Sequence, residues 1–343
     1  MRVQGRNPQL DGLRAFAIAL VLVAHTLRFG TGPANSAREI LGEIGVNVFF
    51  VLSGFLITTL LIQERTRTGK LNLKDFYARR FRRIFPAYYA YLAVMALLAS
   101  LGVVAIGWPE LLADAFYLRD YNVHTSSWLG HTWSLAVETQ FYLLWPATIL
   151  FLGNARARSV AIAAIALTPL VRIATYFLIP SQRDLISIAL HTRIDTLMFG
   201  CATALLIEHG IPAWLEKALQ RVKPAWCLLI LALCVGASAV LRGGFQYVAG
   251  MTIEGAAVSL LLLGVIERPQ MAVARLLSSG PATWVGRISY SLYLWQQPFL
   301  FPMSDSIIAR FPLNVLCALG AAVLSYYLVE RTFFRAKPVT VSV

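Results

Sequence analysis

Long apolar segments recur along the whole chain, and they constrain its fold more than any other feature. Of the 343 residues, 58% are hydrophobic and 14% are charged, whereas a soluble domain carries about 25% charged residues. Ten segments have the length and composition of membrane-spanning helices: about 11–29, 41–63, 84–106, 131–152, 159–179, 189–207, 225–241, 247–266, 287–303 and 312–330. We therefore expect an all-α, polytopic integral membrane protein of about ten transmembrane helices, with residues 1–343 in a single membrane domain.

The basic residues predict the orientation of these helices. With a cytoplasmic N-terminus, six of the 30 Lys and Arg residues fall outside and three fall within spans, which leaves 21 inside. This bias predicts that both termini are cytoplasmic. Because the same bias accounts for most of the net charge of +13, it gives no reason to expect a nucleic-acid partner.

The first span carries two ionisable residues on one helical face. Arg14 and His25 are eleven residues apart, which is three turns plus roughly 20°, and about 16 Å along the axis. Asp11 joins that face. Either residue alone has an ordinary structural explanation, with Arg14 reaching toward the interface and His25 hydrogen-bonded in the core. The aligned pair favours a functional site.

Several polar residues of other spans are predicted at a similar depth, nearer the outer face. At about 1.5 Å per residue, Glu138 lies at the depth of His25. The remaining members of this level are Asn47, Arg172, Arg193, Asp195 and Glu254. Buried charges in a bilayer need partners, so we expect one polar centre inside the bundle. A purely structural polar core is the alternative.

A basic segment follows the second span. Residues 65–83 hold eight Lys or Arg and one acid. Aromatic residues alternate with the arginines, as in an interfacial amphipathic helix. We expect this helix to end before Pro86, which begins the third span. Attraction to anionic membrane lipid is one explanation. The other is a site for a phosphorylated cytoplasmic ligand, which guanidinium groups suit. Its residues would be Arg79, Arg80, Arg82 and Arg83.

The fourth span begins with a cluster of polar and aromatic residues. His131 lies seven residues before Glu138, so helical spacing puts both on one face, with Ser134 one turn before Glu138. We interpret Trp133, Tyr142 and Trp145 partly as aromatic residues of the membrane interface.

Small residues and metal ligands add two further expectations. Gly45, Ser53 and Gly54 in the second span predict close approach of a neighbouring helix. The four cysteines form no CxxC pair, and the five histidines show no metal-ligand spacing, so we expect no metal.

Taken in order, these motifs resemble the acyltransferase-3 family of membrane O-acyltransferases, which modify bacterial surface and secreted glycans. Arg14 and His25 match its Arg-x10-His signature, and the resemblance continues over nearly the whole chain. The further blocks are GVNVFFVLSGFLI (45–57), FYARRFRRIFPAYY (76–89), HTWSLAVETQFYLLWP (131–146), RIDTLMFG (193–200) and GRISYSLYLWQQP (286–298).

The resemblance implies a location in the bacterial inner (cytoplasmic) membrane. It also implies a cytoplasmic acyl-CoA donor, most often acetyl-CoA, and a glycan or lipid-linked glycan acceptor such as O-antigen (lipopolysaccharide) or exopolysaccharide. Two departures stand out. Gln296 and Gln297 occupy the place where many members have His-Trp, and we expect no C-terminal esterase-like domain. The chain is therefore expected to act alone or to pass its acyl group to a separate extracytoplasmic transferase.

The expected mechanism assigns the donor phosphates to the arginines of residues 79–83 and the guidance of the pantetheine arm to Arg14. His25 acts as general base on the sugar hydroxyl or as a covalent acyl carrier, and Glu138 orients it. Arg193 or Asn47 stabilises the thioester oxyanion. The polar centre then also includes Ser53, His131, Trp133 and Asp195. A secondary transporter or lipid-linked glycan flippase with a His/Glu/Arg proton relay is the alternative class.

Overall fold

The computed structural model of the protein describes residues 7–27, 33–122, 126–213, 216–217, 221, 223–241, 244–300 and 307–335. The helices in these ranges are α1 (Pro8–Thr26), α2 (Pro33–Thr68), α3 (Leu73–Ser100), α4 (Trp108–Ala115), α5 (Trp133–Leu178), α6 (Leu190–His209), α7 (Pro224–Val240), α8 (Met251–Glu267), α9 (Ala272–Leu277), α10 (Gly280–Trp295), α11 (Gln297–Leu300), α12 (Leu313–Ser325) and α13 (Arg331–Arg335). Short 3₁₀ segments at Arg119–Tyr121, Ser127–Thr132, Pro180–Ser187 and Ile307–Ala309 and π segments at Gln246–Gly250 and Tyr326–Glu330 connect or extend them.

The all-α, polytopic prediction is confirmed. Within the described ranges, seven helical segments are long and apolar enough to cross a membrane, and α7 is a shorter apolar helix of 17 residues. Every predicted span has a helical counterpart, with α10 and α11 matching the ninth. The number of ten membrane crossings stays a prediction, as does the cytoplasmic position of both chain ends, residues 1–6 and 336–343, which lie outside the described residues.

The long helix α5 accounts for two predicted spans because it doubles back at Gly153. That residue has φ 74° and ψ 167°, a backbone conformation that side chains with a Cβ rarely adopt. Asn154 bonds Glu208 near the end of α6, whereas Arg172 bonds the carbonyl of Thr192 near its start. The half of α5 after Gly153 therefore runs antiparallel to α6.

Glycines bring α2 and α6 into backbone contact, as the small residues of the second span predicted. A Cβ on Gly54 would lie 2.0 Å from the carbonyl oxygen of Leu197. A Cβ on Gly200 would lie equally close to the carbonyl oxygen of Val51. Neither position accommodates a larger residue without displacing a helix.

The helix α1 packs between α2 and α10, and glycines again set the distance. A Cβ on Gly286 of α10 would lie 1.8 Å from the carbonyl oxygen of Asp11, and one on Gly45 of α2 would lie 2.7 Å from that of Ala17. This packing brings the polar face of α1, with Asp11 and Arg14, against two neighbouring helices.

Two predictions about local structure are wrong. The basic segment and the third span form one helix, α3, with Pro86 in its interior rather than at its start. The aromatic residues Tyr142 and Trp145 are buried in the bundle rather than placed at the interface, and their polar atoms bond Ser53 and Thr58. Burial is tolerated because each polar atom finds a partner.

Candidate active site

A cavity of about 390 Å³ lies between α1, α2, α3, α5, α10 and the final π segment. Asp11 and Arg14 both line it, as their shared helical face predicted. The lining also includes Ser53, Ser134, Glu138 and further charged residues. The charged lining comprises four arginines (Arg14, Arg80, Arg83, Arg287) and three acids (Asp11, Glu138, Glu330). Such a cavity favours a ligand with anionic groups.

Within this cavity, Glu138 accepts a hydrogen bond of 2.5 Å from the Ser53 hydroxyl. The hydroxyl of the buried Tyr142 in turn donates to Ser53 Oγ at 3.0 Å. Ser53 stands beside Gly54, so the close contact between α2 and α6 sets its position against α5. Glu138 therefore faces the cavity as a carboxylate that the Ser53 hydroxyl holds in place.

The four arginines of α3 divide into two pairs. Arg80 and Arg83 line the cavity, whereas Arg79 and Arg82 do not. Arg79 instead pairs with Glu64 at 2.8 Å, in a separate groove of about 710 Å³ between the ends of α2 and α3. Because residues three apart share a helical face, only one of the two faces reaches the cavity.

The signature residue His25 lies outside the cavity lining. Its Nδ1 is 2.6 Å from Oε1 of Gln296, a buried residue at the junction of α10 and α11. Among the described residues, Glu138 makes no hydrogen bond to His25, so the expected orientation of the imidazole by Glu138 is wrong. Gln296, which the sequence marked only as a departure from the family, takes that place.

The second histidine, His131, belongs to a 3₁₀ segment and not to α5, so helical spacing from Glu138 does not apply. Its ring is buried, 5.6 Å from the Tyr91 ring and 5.4 Å from the Tyr293 ring. Tyr293 lines the cavity and bonds Ser134 at 2.7 Å and the His131 carbonyl at 3.0 Å. Tyr293 thus stands between the cavity and His131.

The expected single polar centre is wrong, because its members form separate groups. In one, the Arg193 guanidinium bonds Asn47 at 2.8 Å, lies 3.8 Å from Glu43 and stacks 5.3 Å over the Trp133 ring. Asn47 also donates to Glu254 at 2.5 Å. Neither Arg193 nor Asn47 lines the cavity, so the structure does not place them at the expected oxyanion.

A second buried group holds Asp195. This residue pairs with Arg172 at 2.9 Å and accepts a hydrogen bond from Thr252 at 2.6 Å, which ties α5, α6 and α8 together. Asp195 and Arg193 are two residues apart on α6, about 200° around the helix, so they face different neighbours. A common depth therefore did not imply a common site.

Beyond the histidines, α4 and the two following 3₁₀ segments form a small polar cap that the sequence did not predict. Asp114 accepts hydrogen bonds from Thr132 and Tyr88 and lies 3.8 Å from Arg119. Burial raises the pKa of Asp114 to about 6, and burial raises that of Asp120, which accepts a hydrogen bond from Gln140, also to about 6.

Three cavity residues escaped the sequence interpretation. Glu330 lies at the end of the last span and accepts a hydrogen bond from Ser291, and Arg287 was given no role of its own within its family block. Tyr293 lies within the same family block, in α10, and was likewise given no role of its own. The period-3.6 spacing of Gly286, Ser289, Tyr290 and Tyr293 is the signal that marks this face of α10.

The family assignment rests on a comparison with known proteins. A family model described as an acyltransferase domain, that of the acyltransferase-3 family, matches residues 7–331. The chain belongs to the acyltransferase-3 family. Because the family consists of acyltransferases, membership in it favours an enzyme over the transporter alternative. No solved structure matches the chain significantly.

Curated relatives of this family member are longer proteins. YrhL of Bacillus subtilis, provisionally named a peptidoglycan O-acetyltransferase, is 30% identical over 94% of this chain and 54% of its own length. The O-acetyltransferase OatA of Staphylococcus aureus is 30% identical over 94% of this chain and 56% of its own. The peptidoglycan O-acetyltransferase OatA of Listeria monocytogenes is 27% identical over 95% and 54%. The chain spans about half the length of these relatives.

Proposed function

We propose that this acyltransferase moves an acetyl group from cytoplasmic acetyl-CoA to a sugar hydroxyl of a peptidoglycan-like glycan outside the bacterial cytoplasmic membrane. Family membership supports acyl transfer, and the names of the relatives favour peptidoglycan over the O-antigen and exopolysaccharide acceptors implied by the resemblance. Because the chain spans half of those relatives, donor, acceptor and partners are all part of the proposal.

The observation that carries the proposal is the charged cavity. Arg80 and Arg83 contribute guanidinium groups from the basic end of α3, and Arg14 adds a third from α1. Guanidinium groups form paired, charge-assisted hydrogen bonds with phosphate oxygens, which are abundant in coenzyme A. The donor nucleotide binds at these arginines, and its pantetheine arm extends along α1 toward Ser134 and Tyr293.

Beyond Tyr293, the two histidines lie where an acceptor hydroxyl would approach from the outer side. His25 takes the proton of that hydroxyl, whose oxygen attacks the thioester carbonyl. The carbon–sulfur bond then breaks, CoA leaves as a thiolate, and the proton held by His25 returns to its sulfur. The products are the acetyl ester and free CoA.

Glu138 acts on the donor side of this scheme. Its carboxylate balances the arginines that share its cavity and holds the Ser53 hydroxyl in place. Glu138 makes no hydrogen bond to His25. We therefore expect Glu138→Gln to change the Kd for the donor and to leave the proton transfer at His25 in place.

The experiment uses the purified chain in proteoliposomes with radiolabelled acetyl-CoA and soluble peptidoglycan fragments. The expected result is base-labile acetyl ester on the glycan, formed by the parent protein and lost in His25→Ala. The control variant is Arg79→Gln, since Arg79 lies outside the cavity.

Three results would change the proposal. Absence of acetyl-CoA binding overturns the assigned donor. Label trapped on His25 replaces general-base catalysis by a covalent acyl carrier. Hydrolysis of acetyl-CoA without glycan ester, restored to ester formation by a separate extracytoplasmic transferase, makes that protein the immediate acceptor.

A further inference from the structure

Two consecutive glutamines connect His25 to a backbone carbonyl. His25 Nδ1 lies 2.6 Å from Oε1 of Gln296, and Nε2 of Gln296 lies 3.3 Å from Oε1 of Gln297. Nε2 of Gln297 is 2.6 Å from the carbonyl oxygen of Ser127. The two glutamine side chains are buried, at 0% and 3% exposure, so bulk water does not reach the bond between them.

The carbonyl of Ser127 sets the donor-to-acceptor direction of all three hydrogen bonds. A backbone carbonyl can only accept, so Gln297 must present its NH₂ group to Ser127 and its oxygen to Gln296. Gln296 must then donate through its own NH₂ group and present its oxygen to His25. An amide oxygen can only accept, and the partner atom Nδ1 of His25 therefore carries the hydrogen.

This direction fixes the chemistry of the other ring nitrogen. In a neutral imidazole one nitrogen donates and the other accepts, so a hydrogen on Nδ1 leaves the lone pair on Nε2. The reverse tautomer would put a hydrogen on the atom that has to accept a proton. In Ser-His-Asp enzymes, loss of the group that fixes the tautomer lowers kcat by about 10⁴.

We propose that Gln296 and Gln297 are positioning residues that hold His25 in the Nδ1–H tautomer, so that Nε2 is the basic atom of the transfer reaction. The tautomer follows from the hydrogen bonds alone. Only its catalytic use rests on the proposed function.

The first test measures the tautomer directly, without any substrate. Protein labelled with ¹⁵N-histidine in lipid nanodiscs is studied by solid-state NMR at pH 8, and the His25 signals are assigned by their loss in His25→Gln. We expect a protonated Nδ1 and an unprotonated Nε2 in the parent. Gln296→Glu keeps an acceptor oxygen and retains that pattern, whereas Gln296→Leu produces a mixture of tautomers.

The variant Gln297→Leu tests the directional argument and covers the case in which Gln296→Leu does not fold. Gln296 is then free to turn its NH₂ group toward His25, which shifts the population toward the Nε2–H tautomer. The matched control is Gln140→Leu, since Gln140 bonds Asp120 and the Tyr117 carbonyl and has no contact with His25. An Nε2–H tautomer in the parent, or an unchanged pattern in both leucine variants, overturns the proposal.

The second test separates positioning from binding. In the acetyl-transfer assay, Gln296→Leu should lower kcat about tenfold or more while the Kd for acetyl-CoA changes less than about threefold. A fall in acetyl-CoA affinity with unchanged kcat contradicts a positioning role. If the parent protein transfers no acetyl group, the proposed function fails, and the NMR pattern still decides the tautomer.

Discussion

Two pairs of arginines on α3 allow a matched test of where the donor binds. Arg80 and Arg83 line the cavity, whereas Arg79 and Arg82, on a neighbouring face of the same helix, do not. The double variants Arg80→Gln/Arg83→Gln and Arg79→Gln/Arg82→Gln each remove two positive charges. Direct contact with donor phosphates therefore affects only the first variant, while a general attraction by the basic helix affects both.

The expected magnitude follows from the position of these side chains. A charge-assisted hydrogen bond contributes about 1.5–3 kcal/mol, and half-buried groups belong near the lower limit because water screens them. Loss of Arg80 and Arg83 should thus cost about 3 kcal/mol, or about 150-fold in the Kd for acetyl-CoA. Arg79 is exposed and paired with Glu64. The variant Arg79→Gln/Arg82→Gln should therefore cost about 0.5 kcal/mol, or roughly twofold in the Kd for acetyl-CoA.

Isothermal titration calorimetry on protein in nanodiscs measures both losses, at low and at high ionic strength. Screening weakens long-range attraction, so a difference between the two variants that persists at high ionic strength indicates direct contact. Equal losses that disappear at high ionic strength would refute the reasoning. The basic segment would then bind anionic membrane lipid and set the orientation of the helices, and the donor would bind elsewhere.

Three further outcomes are expected. His25→Gln should remain folded and bind acetyl-CoA within about threefold of the parent, yet lose about 10²–10⁴ in turnover, and near-normal turnover would make His25 a structural residue. The pKa values of Asp114 and Asp120 are raised to about 6, so the folded protein holds more protons than the unfolded chain between about pH 4 and 6. Its stability should therefore fall as pH rises through that window, by at most about 3 kcal/mol for each residue. Thermal unfolding followed against pH should lose this slope when both residues are replaced by Asn, and an equal slope in both proteins would contradict the raised pKa values. Gly200→Ala should strongly reduce the yield of folded protein, measured by size-exclusion chromatography, whereas Gly236→Ala, whose added Cβ meets no atom within 4 Å, should not; equal yields would contradict the packing argument.

Features that depend on one helix could be predicted from the sequence. Asp11 and Arg14 line the same cavity because α1 runs without a break, so the spacing of residues along it gives the face that each occupies. The close contact at Gly54 followed in the same way from small residues in an apolar span. The same reasoning, applied to α3, would have separated Arg80 from Arg79.

Features that depend on two distant segments could not be predicted. Depth along a span says nothing about which neighbour a side chain faces, and this is why Glu138 and His25 were expected in contact. The partner of His25 is 271 residues away in the chain, between α10 and α11, and no spacing rule connects the two. The position of His131 escaped prediction because the chain before α5 is a 3₁₀ segment rather than a helix with 3.6 residues per turn.

The buried groups outside the cavity still determine its geometry, through α2. Asn47 and Ser53 are six residues apart on this helix, about 9 Å along its axis. At Asn47, α2 is tied to α6 by the bond from Arg193. Next to Ser53, it is tied to α6 by the contact of Gly54 with Leu197. A helix held at two points can neither rotate nor slide freely, so the Ser53 hydroxyl keeps its place against Glu138. The ion pair of Arg172 with Asp195 holds α6 against α5 in turn, and the carboxylate of the cavity therefore rests on a framework of buried charges that lie outside the cavity lining.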